Sequence, residues 1–176
     1  MQNSDSSEKY KCQQCETLIS IDSSESDSNF CPNCCALSPS HKKLMIDFFK
    51  RARVIDEKQD AIRQYLKGEY VSAARTATII LENEVKKLIG DDTKFGVDLV
   101  TSAFSFNYDE ATKTITRDPL IKINNLDTKT KRNEQEGMKF LCMGLMTGCR
   151  NVFAHSSGHA SPADCLSLIM ICNFLN

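Results

Sequence analysis

The sequence predicts a mainly α-helical bundle that is interrupted by a short β-hairpin or ordered loop and preceded by a small cysteine-rich module. Three observations support this fold class. Apolar residues after position 40 recur at helical spacing in five segments. Residues 106–132 instead contain β-branched residues in partial alternation. Four of the nine cysteines stand in two closely spaced pairs before residue 35, in a stretch too polar to build a hydrophobic core.

Length, composition and charge narrow the possible classes of protein. The chain has 176 residues, of which 41% are hydrophobic and 26% charged, as in globular proteins and unlike disordered ones. No run of eighteen apolar residues occurs, so no transmembrane helix is expected. The polar N-terminus has no apolar segment of the secretory type, which predicts a cytoplasmic protein without membrane association. The net charge of −1 gives no reason to expect an attraction of the whole molecule to nucleic acid or membranes.

The charge is unevenly distributed along the chain. Residues 1–40 contain six acids and two lysines, whereas residues 41–68 contain eight basic and four acidic side chains. We therefore expect any polyanionic partner to prefer the region after residue 40.

The cysteines near the N-terminus have the spacing of a structural zinc site. Two C-x2-C pairs with fifteen residues between them supply four thiolates, which complete a tetrahedral Zn²⁺ shell with no open position. Disulfides are not expected in a chain without an export signal. The sequence thus predicts a four-cysteine zinc ribbon over residues 1–39 with a structural Zn²⁺, and Cys35 is the alternative to Cys34 as a ligand. The predicted ligands are Cys12, Cys15, Cys31 and Cys34.

The expected role of this ribbon is structural or in contacts with another protein. Four thiolates on one Zn²⁺ carry a net charge of −2, and the residues around them are acidic, so the surface repels phosphates. A zinc-ribbon transcription factor that binds DNA is therefore the weaker hypothesis. The remaining thiols lie in apolar helical patterns and are expected to pack in the core. They are Cys142, Cys149, Cys165 and Cys172.

The first three helices follow from apolar spacing. Residues 40–67 carry an apolar stripe opposite a charged face, which predicts a basic connecting helix over residues 40–68. A second helix is expected from Tyr70 to Ile89, where Gly90 ends it. A short third helix is expected over residues 96–105.

The rest of the chain predicts a hairpin or ordered loop and two further helices. Residues 112–116 and 120–124 are the expected strands, separated by Arg117-Asp118-Pro119. Residues 133–149 carry a full apolar face, which must be buried against other helices. The last helix starts with Ser161 as N-cap and Pro162 at the first helical position.

The segment 150–155 (RNVFAH), between the last two predicted helices, contains the candidate catalytic residues. Arg150 and His155 are polar residues that follow the most apolar helix. A histidine moves protons at neutral pH, an arginine holds a phosphate, and Asn151 can orient either group. This set suits metal-independent phosphodiester chemistry. The structural alternative is that Arg150 caps its helix and His155 is a hydrogen-bonded turn residue.

This segment and its surroundings resemble the Ymh branch of the HEPN superfamily. RNVFAH has the form of the Arg-x4-6-His motif of that superfamily, with the polar Asn151 after the arginine. The resemblance covers residues 70–176 and departs from the branch at Val152, where proline is usual. Further motifs of the branch occur here as GVDLV (96–100), AFS (103–105), EG (136–137), GLMTGCRN (144–151) and AH (154–155).

The resemblance implies an all-α HEPN domain, assigned here to residues 69–176, that forms a homodimer with a composite active site. Many members are metal-independent endoribonucleases of phage (antiviral) defence, toxin–antitoxin or stress-response systems, often with an inhibitor or sensor protein as partner. Carried over, His155 would be the general acid or base, Arg150 would stabilise the phosphorane, and Asn151 would position both. RNA is then the expected substrate. The alternative is a non-catalytic HEPN and zinc-ribbon module that binds RNA or a partner protein.

Other polar candidates are weaker. His159 and His41 are expected to be surface residues. The acidic pairs Asp91-Asp92 and Asp109-Glu110 are expected in turns, where aspartate forms local hydrogen bonds. No glycine-rich phosphate loop, Ser-His-Asp order or H-E-x-x-H motif occurs in the sequence.

Overall fold

The computed structural model describes residues 8–12, 15–21, 31, 36–52, 59–149 and 161–175. These residues form a mainly helical protein with two small hairpins and an N-terminal cysteine cluster, so the predicted fold class is confirmed. None of the helices in these ranges combines the length and apolarity that a membrane crossing requires. The helices are α1 (Pro39–Arg51), α2 (Gln59–Leu66), α3 (Tyr70–Ile89), α4 (Gly96–Phe104), α5 (Lys129–Gly144), a π-helical turn (Leu145–Cys149) and α6 (Pro162–Phe174). The strands are β1 (Glu8–Lys11), β2 (Leu18–Ile21), β3 (Asn107–Asp109) and β4 (Thr114–Arg117).

Helix α3 is the centre of the bundle. It packs against α2, α4 and α6. Its alanines are fully buried, and their small side chains let the neighbouring helix axes approach closely. Its bounds match the prediction, and Gly90 ends it in the left-handed conformation with φ of 68°. The main core contains, among others, Ala73, Ala74, Ala77, Leu81, Leu99, Val100, Leu168 and Ile169.

The structure describes two helices within the predicted connecting helix, and residues 53–58 between them lie outside the described residues. The first is α1, which begins after the N-cap Ser38 and has its C-cap at Ala52, and the second is α2. Because α1 ends at this C-cap, the predicted helix over residues 40–68 is not continuous. Ala61 and Tyr65 of α2 lie in the same buried cluster as α3. The domain bounds 1–39, 40–68 and 69–176 stay a prediction, but the packing joins α2 to the helices after it.

The inserted hairpin is confirmed, although one of its strands is not where the sequence analysis placed it. Strands β3 and β4 pair antiparallel, and β4 overlaps the expected strand 112–116. The segment 120–124 is not a strand. The reason lies in Asp109, whose carboxylate accepts hydrogen bonds from the N–H groups of Ala111 and Thr112 and closes the turn.

Gln135 explains what replaces the second expected strand. Its side chain is fully buried. Its amide nitrogen donates to the carbonyls of Phe104 and Ile121, and its oxygen accepts from the N–H of Ile123. One side chain thus pairs with two backbone groups of an irregular segment and with the last carbonyl of α4.

Helix α5 starts earlier than predicted and ends differently. The Thr128 side chain accepts from the N–H of Lys131, so the basic stretch 129–132 is the first turn of the helix. At the other end, the backbone widens into a π-helical turn from Leu145 to Cys149. The predicted apolar face is buried at Cys142, Leu145 and Met146, whereas Leu141 is exposed.

Helix α6 begins as predicted. The Ser161 hydroxyl accepts a hydrogen bond from the N–H of Asp164 and donates one to its carboxylate. Pro162 occupies the first helical turn. Cys165 and Cys172 are fully buried on its inner face, which confirms their predicted place in the core.

Candidate functional site

The predicted zinc ligands come together as far as the structure describes them. The Sγ atoms of Cys12, Cys15 and Cys31 all lie within 4.8 Å of one another, and those of Cys15 and Cys31 are 3.5 Å apart. Two thiolates about 2.3 Å from a tetrahedral Zn²⁺ would be about 3.8 Å apart. The cluster therefore has the size of a metal site. Cys34 and its alternative Cys35 lie outside the described residues.

The first pair of cysteines is shaped by a hairpin that the sequence analysis did not predict. Strands β1 and β2 pair antiparallel, and Cys12 and Cys15 lie in the connection between them. The N–H of Cys12 donates to the carbonyl of Thr17 at 2.8 Å, and the N–H of Glu16 donates to the carbonyl of Cys12. Glu16 has a φ of 61°, which lets the chain turn tightly enough for both thiols to point the same way.

The second half of the cluster is tied to the bundle. The N–H of Cys31 donates to the carbonyl of Ala36 at 2.7 Å. Ala36 in turn lies against Gly68, in the turn between α2 and α3, where an added Cβ would be 3.1 Å from the Ala36 Cα. Gly68 has a φ of 84°. The cysteine cluster and the central helix are thus separated by two of the smallest residues. We call the described residues 8–12, 15–21, 31 and 36–38 the cysteine module.

The predicted catalytic residues Arg150, Asn151 and His155, together with His159, lie outside the described residues. The structure does place the two ends of their segment. Cys149 ends the π-helical turn, in which Leu145 and Met146 are buried. Ser161 begins the capped helix α6. The segment 150–160 is therefore joined at both ends to helices that pack in the core.

The turn before Arg150 is a local irregularity that the apolar spacing did not reveal. A π-helical turn holds one more residue than an α-helical turn, and such turns are frequent at functional sites. Inside it, the Thr147 hydroxyl donates to the carbonyl of Met143 at 2.8 Å. Thr147 and Gly148 are exposed. Glycine and a hydroxyl residue within an apolar helix are the signal that could have indicated a change of helix type.

Three buried groups of the bundle, on α2, α5 and α6, have raised pKa values. Burial raises the pKa of the Cys142 and Cys165 thiols to about 11. Burial, with a smaller effect of Cys165, also raises the pKa of Tyr65 to about 12. These groups stay neutral at physiological pH, and a neutral thiol is a poor nucleophile or metal ligand. Their role is packing.

The weaker candidates have local roles. His41 lies half-buried at the start of α1, where its Nδ1 is 3.2 Å from the Ser38 hydroxyl. Hydrogen bonds from Thr93 lower the pKa of Asp91 to about 2. Backbone hydrogen bonds, led by the N–H of Ala111, lower the pKa of Asp109. The two aspartates therefore shape turns, as predicted.

A buried ion pair inside the bundle was not predicted from the sequence. Glu82 and Lys86 on α3 have side chains only 5% and 11% exposed, and their Oε1 and Nζ atoms are 3.5 Å apart. The Lys86 ammonium also lies 3.6 Å from the centre of the Phe95 ring. Glu82 continues the buried line of Ala74 and Thr78 at intervals of four residues, and that periodicity was the available signal.

Comparisons with known proteins place most of the chain in one family. A family model described as "Protein of unknown function (Hypoth_ymh)" matches residues 56–176. No curated protein and no solved structure matches the chain at a significant level. The matched range begins just before α2 and ends with the last residue.

Proposed function

The chain belongs to the Hypoth_Ymh family, and we propose that it is a metal-independent endoribonuclease of the HEPN type. The observation that supports the proposal is the RNVFAH motif in the sequence, between two helices that pack in the core. Along the chain, Arg150 directly follows Cys149 of the π-helical turn, and eleven residues separate Cys149 from the N-cap Ser161. Arg150 and His155 are only five positions apart in the sequence, which suits side chains that must meet around one phosphate.

The proposed chemistry follows the roles that the HEPN resemblance implies. His155 accepts the proton of a ribose 2′-OH, whose oxygen attacks the adjacent phosphorus. Arg150 stabilises the negative charge that develops on the phosphorane, and Asn151 positions these two groups. The bond from phosphorus to the 5′-oxygen then breaks, and that oxygen takes up a proton. The products are a 2′,3′-cyclic phosphate and a 5′-OH, so the substrate must be RNA.

We also propose that two copies of the chain form the active site together. The outer face of α5 and the π-helical turn supports this, because Phe140 is 60% and Leu141 is 53% exposed. At Gly144 and Gly148 an added Cβ would meet no atom of the described chain. A second copy on this face would come close to the backbone of residues 144–148, which precede Arg150 in the sequence. Two such segments could then line one cleft.

For the cysteine module we propose a zinc ribbon with a structural Zn²⁺. Its ligands would be Cys12, Cys15 and Cys31, with Cys34 as the fourth. When bound, the ion supplies folding free energy and no catalytic chemistry, because four protein ligands leave it no open position. The ribbon would serve as the contact for an inhibitor or sensor protein in a cytoplasmic defence, toxin–antitoxin or stress-response system.

Cleavage of a generic RNA in EDTA tests the nuclease proposal. Wild-type protein should give fragments with 2′,3′-cyclic phosphate ends. Arg150→Ala and His155→Ala should each cut at least about a hundredfold more slowly. His159→Ala, in the same segment, is the matched control and should cut like the wild type. Mixing the Arg150→Ala and His155→Ala proteins should restore part of the activity if the cleft is shared.

Equal cutting by the wild type and all variants would remove the assignment. The second candidate function, a non-catalytic HEPN and zinc-ribbon module, is favoured by Val152, which stands where proline is usual in the branch. That function predicts RNA or protein binding with no cyclic-phosphate product from any of the proteins.

A further inference from the structure

Helix α1 is attached to the bundle by one side and exposes the other. Phe49 is 4% exposed and packs edge-on against Tyr65, with 6.0 Å between the ring centres. Met45, one turn earlier, packs against the same core. This anchoring fixes which residues point outward. The exposed side chains between positions 43 and 51 are Lys43, Leu44, Asp47, Phe48, Lys50 and Arg51.

The cations of α1 differ from most other cations in the described part of the chain. Elsewhere among the described residues, seven lysines pair with carboxylates three or four residues away, as in Lys113 with Glu110 at 2.9 Å and Lys122 with Asp118 at 2.8 Å. None of the ion pairs among the described residues involves α1. The helix has four cations and one carboxylate. Its positive charge is therefore not neutralised within the described structure.

An aromatic ring lies among these cations. Phe48 is 41% exposed, and its ring packs edge-on against Phe49 at 5.7 Å between centres. The contact with a buried ring holds Phe48 in place while leaving part of it open to solvent. Cations without an ion pair among the described residues, next to an exposed aromatic ring, are the combination with which proteins bind single-stranded nucleic acid, because phosphates meet the cations and a base stacks on the ring.

We propose that this outer face of α1 binds the backbone of single-stranded RNA. Lys43, Lys50 and Arg51 would contact phosphates, and Phe48 would stack on a base. The inference rests on the proposed function, since it supplies the substrate-binding surface of the ribonuclease. A membrane surface fits less well, because an interfacial helix needs a broad apolar face and α1 exposes only Leu44 and Phe48 as large apolar residues.

Binding to an RNA that cannot be cut tests the surface separately from catalysis. The probe is a fluorescein-labelled single-stranded oligonucleotide with 2′-O-methyl riboses, followed by anisotropy across a salt series. The triple variant Lys43→Glu, Lys50→Glu, Arg51→Glu should raise the Kd about tenfold or more. It should also flatten the logarithmic salt dependence by about 2, since each lost phosphate contact on a single strand removes about 0.7.

Two further proteins make the comparison specific. The control triple variant reverses three exposed cations that pair with carboxylates, at Lys87, Lys113 and Lys122, and should bind like the wild type. Asp47→Asn removes the one carboxylate of α1 and should tighten binding. Circular dichroism checks that each variant keeps its helices. Equal weakening by the α1 and control variants would overturn the proposal.

Cleavage of ordinary RNA then separates this proposal from the nuclease proposal. If the wild type cuts and the α1 variant has a raised KM, both stand. If the wild type cuts and the α1 variant matches the control, the α1 surface is wrong and the nuclease remains. If the wild type binds RNA through α1 without cutting it, the surface remains and the nuclease falls. Binding to vesicles of anionic phosphatidylglycerol but not to RNA would replace the RNA surface by a membrane surface.

Discussion

The cysteine module and the helical bundle are held together by different means. The bundle buries twenty side chains of the described residues in one continuous cluster, most of them aliphatic or aromatic. The corresponding cluster of the cysteine module has four buried members among the described residues, two of which are cysteines. At about 25 cal/mol for each Å² of buried apolar surface, the first supports a fold and the second does not. The same chain therefore contains one region that folds by packing of apolar side chains and one that needs a further source of stability, which we propose is a metal ion.

The largest effect is expected when a proposed zinc ligand is removed, because this should unfold the cysteine module and leave the bundle folded. Cys31→Ser should abolish zinc binding, because structural sites contribute roughly 10–16 kcal/mol of binding free energy that depends on all the ligands. Hydrogen exchange should become fast in β1 and β2 and stay slow in α3. Metal analysis and exchange mass spectrometry measure both. Cys172→Ser, a buried thiol of the bundle, is the control and should lower the melting temperature while keeping the metal. A zinc-loaded Cys31→Ser protein would contradict the site.

The next largest effect is expected when a buried side chain of the helical bundle is shortened. Leu81 is 1% exposed in the centre of α3, so Leu81→Ala should destabilise the bundle by about 2–5 kcal/mol through lost burial and the cavity left behind. Urea unfolding followed by circular dichroism measures this loss. Leu88→Ala on the same helix removes the same atoms from a side chain that is 68% exposed and should cost far less. Similar losses at the two positions would show that α3 is not the centre of the core.

The sequence supplied the helices that carry strong local signals. The bounds of α3 and the cap of α6 were correct because apolar periodicity, Gly90 and Ser161 act within a few residues. The three thiols of the cysteine module followed from spacing alone. The irregular features were missed because they depend on distant partners: Gln135 holds a segment more than ten residues away. The π-helical turn was missed because Leu145 and Met146 continue the apolar spacing of α5, although Thr147 and Gly148 interrupt its apolar sequence.

The candidate functional residues also differ in how far a local sequence pattern could predict them. Zinc-ligand spacing is a local pattern, and three of its four members lie together as predicted. The proposed roles of Arg150, Asn151 and His155 would require a particular tertiary arrangement and, as we propose, a second copy of the chain, and no local pattern contains that information. The cations of α1 were visible as composition, but whether any described carboxylate pairs with them could be read only from the folded structure.

The smallest expected effect lies at the contact between the two regions. Gly68 and Gly90 both have positive φ, so replacing either with alanine should cost about 1 kcal/mol of backbone strain. Only at Gly68 does the new Cβ press on Ala36, so Gly68→Ala should cost more. Thermal unfolding measures the difference, and a chelator should reduce it by releasing the cysteine module. An equal cost with and without chelator would show that the metal does not hold Ala36 against the bundle.

The ion pair of Glu82 and Lys86 limits which substitutions this chain can accept during evolution. A charge enclosed by apolar neighbours is tolerated only while its counter-charge stays beside it, and losing one member of such a pair costs about 3–5 kcal/mol. Replacing both members with apolar residues of similar volume is far less costly. Relatives of this chain should therefore keep both residues or change both. Helix α3 thus contains two positions, one turn apart, that evolution can alter only together.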